Sequence, residues 1–414
     1  MKDYAPLQKL FYQEKASERN TVIRDEALRR LNEGSTFRSG ISIATGELFL
    51  AVPRELTMIS ERLFRVERRV SKLWRELPGI ARWAYIRGLI MGEIVSTNEI
   101  EGVYSTRRQI EEALESVASQ KITPEGKRFK EFARLYMQLT DGSRRYPESP
   151  KDIRIIYDAI MEGELTENLR LDGELFRKEA ADVVSSHQEV IHSGVMPESK
   201  IVVMLEQLIG LINSSKIPPT FSAIIAHFLF EYIHPFYDGN GRTGRYLLSL
   251  YLSEPLSLPT VLSLSTVIAE NKNRYYKAFK AAESPLNYGE LTFFVIQIME
   301  FIRAAQDSTM EDLEEKVTLL MVAEQNLNEL RSGEYSLSPK ETDVMFQALQ
   351  YHLFDVFSEI SLANIADNMD VSKQTARKYV AALEEKGLLK AISSKPYKFI
   401  LTPRAEKELV LATG

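Results

Sequence analysis

Cysteine is absent from the 414-residue chain. That one absence excludes disulfide frameworks, thiolate-bound zinc, iron–sulfur clusters and thiol nucleophiles. It also fits the cytoplasm, which is the location expected here. Long apolar runs are missing too: no segment approaches the roughly 18 uninterrupted apolar residues that a membrane span needs. The opening stretch MKDYAPLQKLFYQEKASERN lacks the apolar core of a signal peptide. No membrane partner is therefore expected. Positive charge is not in excess, since the formal net charge is −6, so any nucleic-acid contact must come from a local patch. Histidine is scarce, with five residues in all. Three of them, His187, His192 and His352, are too scattered to suggest a metal cluster.

What is present reads as globular. A hydrophobic content of 44% with 27% charged residues is ordinary for a folded soluble chain, and the length implies two or three domains. The apolar spacing is mainly helical. A strand-like stretch at 41–52, broken by Gly46, is followed by Pro53 and a long helical pattern from Glu55 to Met137. Pro78-Gly79 and Thr123-Pro124-Glu125-Gly126 punctuate that pattern. Residues 150–305 continue it, except for Ala181–Lys200, whose Val-Val pair, polar run, Gly194 and Pro197 suggest a hairpin or extended flap. Phe221–Ile233 is apolar nearly all round and should be a central buried helix. His227 within it lies seven residues before His234, on the same face, and reads as a hydrogen-bonded core residue.

The chemistry concentrates directly after that helix, in His234-Pro235-Phe236-Tyr237-Asp238-Gly239-Asn240-Gly241-Arg242-Thr243-Gly244-Arg245. Gly239, Gly241 and Gly244, with Asn240, precede a new helical run, so the turn and the helix start offer N–H groups and a positive dipole end to an anion. Arg242 and Arg245, three positions apart, add guanidinium groups matched to phosphate oxygens. Asp238 would repel a bare phosphate but suits a Mg²⁺ held between carboxylate and phosphates. His234 can take a proton near neutral pH. Base, metal carboxylate, cradle and arginines within twelve residues point to phosphoryl or nucleotidyl transfer.

This segment resembles the core motif of the Fic family, H-P-F-x-(D/E)-G-N-G-R-x-x-R, with every fixed position filled. The resemblance extends over residues 80–305. It implies a protein adenylyltransferase: His234 would deprotonate a target hydroxyl, which attacks the α-phosphate of ATP. Asp238 would hold Mg²⁺ on the α- and β-phosphates. Gly239, Asn240 and Gly241 would cradle the phosphates, Arg242 would neutralise them, and Arg245 would reach the γ-phosphate. Phe236 would anchor the loop, with Pro235 helping the turn. By order, Val183–Met196 would be the family's target-docking flap, and Tyr275 and Tyr276 sit where the family closes the adenine pocket, although both serve equally well as core residues.

Ile94–Gly102, IVSTNEIEG, resembles the family's inhibitory motif (S/T)-x-x-x-E-(G/N), with Thr97, Glu101 and Gly102 at its named positions. Glu101 would pair with Arg245 and occupy the place of the γ-phosphate. Near the other end, Ser361–Asp370, then Val371–Thr375, then Ala376–Lys386 reads as helix–turn–helix with Ser372 as an N-cap. Leu388–Ile392 and Phe399–Leu401 add two short strands, which resembles a winged helix. Lys373, Gln374, Arg377 and Lys378 would face DNA; dimerisation or protein docking is the alternative use.

The expected fold is mainly α: a Fic-type helical core with a small β-hairpin flap, plus a C-terminal winged helix–turn–helix domain. The expected segments are a mixed N-terminal region (1–80), the catalytic domain with its inhibitory helix (81–305), a charged helical linker (306–337) and the winged helix (338–414). The expected partners are ATP, Mg²⁺, an unidentified target protein and DNA, with a homodimer open as an assembly. Two other functions compete: a DNA-binding regulator that uses the site to sense nucleotide, and an enzyme that removes AMP from a modified target, with Glu101 as a catalytic carboxylate.

Overall fold

A computed structural model describes residues 4–119, 128–184, 190–333 and 335–411. The chain divides into two compact units: Met1–Arg68 with Ile90–Asp307, and Arg69–Leu89 with Ser308–Gly414. No described helix is long and apolar enough to cross a membrane.

The first unit opens with helices α1 (Leu7–Gln13) and α2 (Arg19–Leu31), which bury Leu7, Phe11, Ile23 and Ala27 against one another. The hairpin β1 (Phe37–Ile43) and β2 (Gly46–Leu50) follows, in antiparallel register from Phe37 opposite Leu50 to Ile43 opposite Gly46. The sequence pattern suggested one interrupted strand here; Gly46, at φ 138°, instead lets the chain turn back. A side chain at Gly46 would strike the Tyr288 carbonyl, which explains why glycine stands there.

Helices α3 (Arg54–Glu76), α4 (Gly79–Ile100), α5 (Arg107–Ser119), α6 (Lys130–Thr140) and α7 (Pro150–Ile160) come next. The punctuation read at Pro78-Gly79 falls between α3 and α4, whereas Thr123–Gly126 lies outside the described residues. α7 starts on a capping box in which Ser149 and Asp152 satisfy each other's backbone N–H groups. The flap reading gains two antiparallel strands, β3 (Asp182–Val184) and β4 (Val190–Ser193). The segment 185–189, with His187, lies outside the described residues.

Helices α8 (Glu198–Ile212), α9 (Pro219–Ile233) and α10 (Asn240–Leu252) form the centre. α9 is buried on all sides, from Thr220 to Phe230 and again at Ile233, as its sequence required. α10 buries nearly every residue, including Arg242 and Arg245. Two buried carboxylates tie surrounding helices to this centre. Glu93 of α4 accepts hydrogen bonds from the Ser265 N–H at 2.9 Å and the Ser265 hydroxyl at 2.6 Å. Burial pushes its carboxyl up to about 7. Glu67 of α3 accepts from Ser257 N–H, the Thr260 hydroxyl and the Gln306 amide. α11 (Leu258–Val261), α12 (Leu264–Glu270) and α13 (Lys272–Ala282) lead to α14 (Thr292–Ser332).

α14 joins two of the expected segments in one element. The charged segment from 310 onward was expected to be a separate linker, but no glycine or proline interrupts Thr292–Ser332, and the helix runs through without a break. The division between units falls within this helix, at Asp307 and Ser308, beside the expected start of the linker at 306, and residues 69–89 belong with the C-terminal unit. Contacts distant in sequence cause this. Within the second unit the Ala81 N–H donates to Gln350 at 3.1 Å, and Tyr85 packs edge-on against Phe354 with centroids 6.2 Å apart.

The second unit contains α15 (Pro339–Phe354), β5 (Ile360–Ser361), α16 (Leu362–Asn368), α17 (Lys373–Glu385), β6 (Leu389–Ser394), β7 (Tyr397–Leu401) and α18 (Pro403–Leu409). Its sheet has the order β5-β7-β6, antiparallel throughout. Ser372 caps α17 by accepting the Thr375 N–H, as its sequence position suggested. β5 carries only two residues, too short to leave an alternating pattern in the sequence.

Candidate active site

The buried helix α9 delivers His234 at its C-cap, in a left-handed conformation at φ 50° and ψ 60°. Arg177 fixes this turn. Its guanidinium donates to the His234 carbonyl at 2.8 Å, to Val195 at 3.0 Å and to Glu179 at 2.7 Å, so it ties the loop to the base of the flap. Nothing local in the sequence marks this arginine, because its partners are main-chain carbonyls from three separate segments. Burial, then the charges of His192 and Arg177, push the His234 imidazole down to about 4. It is therefore neutral at pH 7, and its hydrogen bond to the Glu231 carbonyl leaves one ring nitrogen able to accept a proton.

The loop beyond is held from inside. Phe236 is fully buried and stacks on Tyr157 with centroids 3.7 Å apart at 12°. The Asn240 side chain closes the turn: its oxygen accepts the Phe236 N–H at 2.9 Å, and its amide donates to the Phe236 carbonyl at 2.8 Å. Asn240 thus shapes the cradle with its side chain and has only its backbone N–H to offer an anion. Replacing Asn240 by alanine should lower unfolding free energy by about 1–3 kcal/mol, because two buried main-chain groups lose their partner. Urea denaturation reads this directly.

Gly239 adopts φ 78° and caps α10. Asp238 is exposed, and one of its carboxylate oxygens accepts the Gly239 N–H at 2.6 Å. Gly241 lies so close to the Glu101 carboxylate that a Cβ there would collide with it, and a Cβ at Gly244 would meet Glu231. The two arginines have separate settings. Arg242 is buried, pairs with Glu164 and points one nitrogen at the Met161 sulfur at 2.9 Å. Arg245 faces the cavity beside His234.

A cavity of about 290 Å³ gathers His234, Gly241, Arg245, Glu101, Tyr275 and Tyr276. Of the residues expected from sequence, Asp238, Gly239, Asn240, Arg242, Gly244, Thr97 and Gly102 are not in its lining. Five residues not expected in the site complete it on the polar side: His192, Glu231, Lys277, Lys280 and Glu283. Glu231 precedes His234 by three positions. Burial pushes its carboxyl up to about 8, and its Oε1 is buried with no hydrogen-bond partner among the described residues. Only its position one helical turn before His234 could have marked it.

Helix α4 ends at the cavity. Gly102, at φ 72°, donates its N–H to Glu99 at 3.0 Å, and Val103 donates to Asn98 at 2.9 Å. That pair of bonds is the Schellman arrangement, which needs a left-handed residue where Gly102 stands. It leaves Glu101 as the C-cap, at the negative end of the helix dipole, an unfavourable place for a carboxylate. Arg245 compensates: it donates to Glu101 Oε1 at 2.7 Å, to the Thr97 hydroxyl at 2.8 Å and to the Thr97 carbonyl at 3.2 Å. Burial disfavours the charged guanidinium, but the Glu101 carboxylate outweighs that and raises its pKa. Lys272 donates to the Ile100 carbonyl at the same helix end.

Tyr275 and Tyr276 have different roles. Tyr275 is buried, and its hydroxyl lies 2.7 Å from His227 Nε2. His227 Nδ1 lies 3.1 Å from the Gly244 carbonyl, so Nδ1 carries the proton and Nε2 accepts from Tyr275. Burial pushes His227 down to about 3, and it is the hydrogen-bonded core residue its sequence context indicated. Tyr276 is 42% exposed and free to meet a ligand. Among the described residues no group of three acidic or histidine side chains could hold a metal on its own.

Residues 147–252 match the Fic/DOC family, and residues 347–399 match an HTH domain. This chain carries a Fic domain. It is 29% identical over 153 residues to the protein adenylyltransferase fic-1 of Caenorhabditis elegans, covering 36% of this chain and 26% of that protein. It is 42% identical over 71 residues to the probable protein adenylyltransferase aq_aa38 of Aquifex aeolicus, covering 17% of this chain and 20% of that protein. These matches thus span about a quarter or less of those relatives. A Fic family protein from Desulfovibrio desulfuricans G20 superimposes with a TM-score of 0.50 at 18% identity, covering 85% of this chain and 97% of that structure. The fold is that of a mainly helical Fic protein with small antiparallel sheets and a C-terminal HTH domain.

Proposed function

We propose that the chain is a protein adenylyltransferase, which moves AMP from ATP to a hydroxyl side chain of a target protein and is held off at rest by Glu101. The observation that carries this reading is the convergence of His234, Gly241 of the turn and the Glu101–Arg245 pair on one cavity. In the proposed reaction, His234 takes the proton from the target hydroxyl. The oxygen attacks the α-phosphorus, the bond to the β-phosphate bridging oxygen breaks, and pyrophosphate leaves. Backbone N–H groups of the turn before α10 cradle the phosphates, and Arg245, once released by Glu101, reaches the γ-phosphate. Catalysis then rests on positioning and charge stabilisation.

Mg²⁺ fits this site. Asp238 supplies a single exposed carboxylate beside the glycine turn, and Mg²⁺ is ordinarily bound by one or two carboxylates with substrate phosphates completing its shell. Bound there, it would neutralise charge on the phosphates. The test of reaction type is the position of the label. The Glu101→Gly protein incubated with Mg²⁺ should take label from α-labelled ATP and none from γ-labelled ATP. Label from the γ-position alone would make it a kinase and sink the reading.

The second unit supports an additional reading, docking on DNA. Lys373, Gln374, Arg377 and Lys378 are all exposed on α17, and Arg377 lies over the Tyr397 ring at 5.1 Å, linking that helix to the β6–β7 wing. If α17 meets phosphates, binding of the full chain to duplex DNA should weaken steeply with salt. Replacing Lys373 and Lys378 together by alanine should reduce the log–log salt slope by about 2. A slope unchanged by the double substitution would favour protein docking or dimerisation instead.

A further inference from the structure

His192, on the second flap strand β4, is the residue whose setting the proposed reaction does not yet explain. Its Nδ1 lies 2.8 Å from Glu283 Oε2, just past the end of α13, and its Nε2 lies 2.8 Å from the Tyr232 carbonyl of α9. A carbonyl and an ionised carboxylate accept only, so with Glu283 ionised both ring nitrogens donate, and only the imidazolium has two N–H groups. The ring is 11% exposed and Glu283 17%, which limits solvent screening of the pair. The His192 ring centroid is 6.3 Å from that of His234, and both rings line the same cavity.

We infer that His192 is a positioning residue that, as an imidazolium bonded to Glu283 and the Tyr232 carbonyl, tethers flap strand β4 to α9 and α13 beside His234. The tether does two things for the proposed reaction, on whose assignment its catalytic consequence rests. It fixes the strand of the β3–β4 hairpin nearest the base, so that any target chain lying along the flap meets His234 at a set distance. Its charge also adds to the burial that keeps the His234 imidazole unprotonated.

The surrounding charges favour the imidazolium on balance. Burial opposes it, but the Glu283 hydrogen bond and charge and the Tyr232 carbonyl outweigh that, so the pKa is raised. Glu101 also lines this cavity. The positive charges of Arg245 of α10 and of Lys277 and Lys280 of α13, which line the same cavity with the neutral His234 of α9, oppose the imidazolium. Because the folded-state value lies above the free one, the tether is complete at low pH and is lost as pH rises through the folded value.

Histidine-selective ¹⁵N labelling tests this, since the chain has only five histidines. At pH 7 the His192 ring should show both nitrogens protonated, with a titration midpoint above the ordinary ~6.5. Glu283→Gln, which keeps the shape and removes the charge, should lower that midpoint by about 1 unit or more. Amide exchange across residues 190–193 should quicken about tenfold in Glu283→Gln, and in the unaltered chain above the midpoint. A neutral His192 at pH 7, or a midpoint and exchange rates indifferent to Glu283→Gln, overturns the tether. Running Glu101→Gly with α-labelled ATP alongside separates the two readings. A doubly protonated His192 without label on protein keeps the tether and removes the transferase; label on protein with a neutral His192 does the reverse.

Discussion

Glu101→Gly is expected to raise adenylyl transfer by about 10- to 100-fold. The magnitude follows from what the side chain contributes. Arg245 is 2% exposed and Glu101 28% exposed, at 2.7 Å, so the pair is a charge-assisted hydrogen bond in a partly dry cleft. Such bonds contribute about 1.5–3 kcal/mol net, and each 1.4 kcal/mol is about a factor of ten. ATP must displace that contact before its terminal phosphate can use the same guanidinium, so removing the carboxylate returns this free energy to productive binding. The rate of label incorporation from α-labelled ATP measures the gain.

A stability measurement makes the same prediction sharper. Without Glu101, the buried Arg245 retains Thr97 but loses its carboxylate, so the variant should melt at a lower temperature than the unaltered chain when ligand-free. ATP should restore more of that loss than ADP, because the terminal phosphate replaces the missing charge and ligand binding stabilises by mass action. Equal transfer by the variant and the unaltered chain would remove the brake. Glu101 as a catalytic carboxylate for AMP removal predicts the opposite sign: the variant would then lose the ability to clear AMP from a modified protein.

Much of this arrangement is legible in the sequence because its cues are local. The twelve-residue loop, the apolar helix before it and the Glu101-Gly102 helix end each carry their signal within a few positions. Gly102 illustrates the point: a glycine after an acidic residue at the end of a helical pattern turns out to be the left-handed residue of a Schellman cap. What escaped the reading is set by contacts between distant segments. Arg177, which gathers carbonyls of residues 179, 195 and 234, looks in sequence like any surface arginine. Glu283, at the end of a charged helix, gains its role only because the fold lays β4 beside it. Arg242 and Arg245 show the reverse case. Two arginines three residues apart read alike, yet the fold gives one to Glu164 and the other to Thr97 and Glu101. The long helix α14 runs across a change in composition, since composition changes along it while helix propensity does not.

His234→Ala in the Glu101→Gly background should abolish transfer, by about 10²–10⁴-fold, the range that general-base removal ordinarily produces. ATP affinity should change little, because the phosphates are to be met by the glycine turn and Arg245 rather than by the imidazole. His234 holds a left-handed conformation at φ 50°, which alanine tolerates poorly, so a loss of activity in that variant alone could come from a displaced loop. Asparagine accepts this conformation more readily than most residues. His234→Asn should therefore preserve the melting temperature and ATP binding while losing transfer to the same degree. The pH dependence adds an independent check. With the His234 imidazole pushed down to about 4, and Glu101 among the groups that hold it up, the base form dominates above that value, so transfer by Glu101→Gly should hold down to pH about 4 and fall only at or below it. A limb near the ordinary histidine value of ~6.5 would mean that the buried, neutral state described here is not the one that reacts. Retention of transfer in the asparagine variant would remove His234 from the chemistry altogether, and with it the reading of the loop as a hydroxyl-activating site.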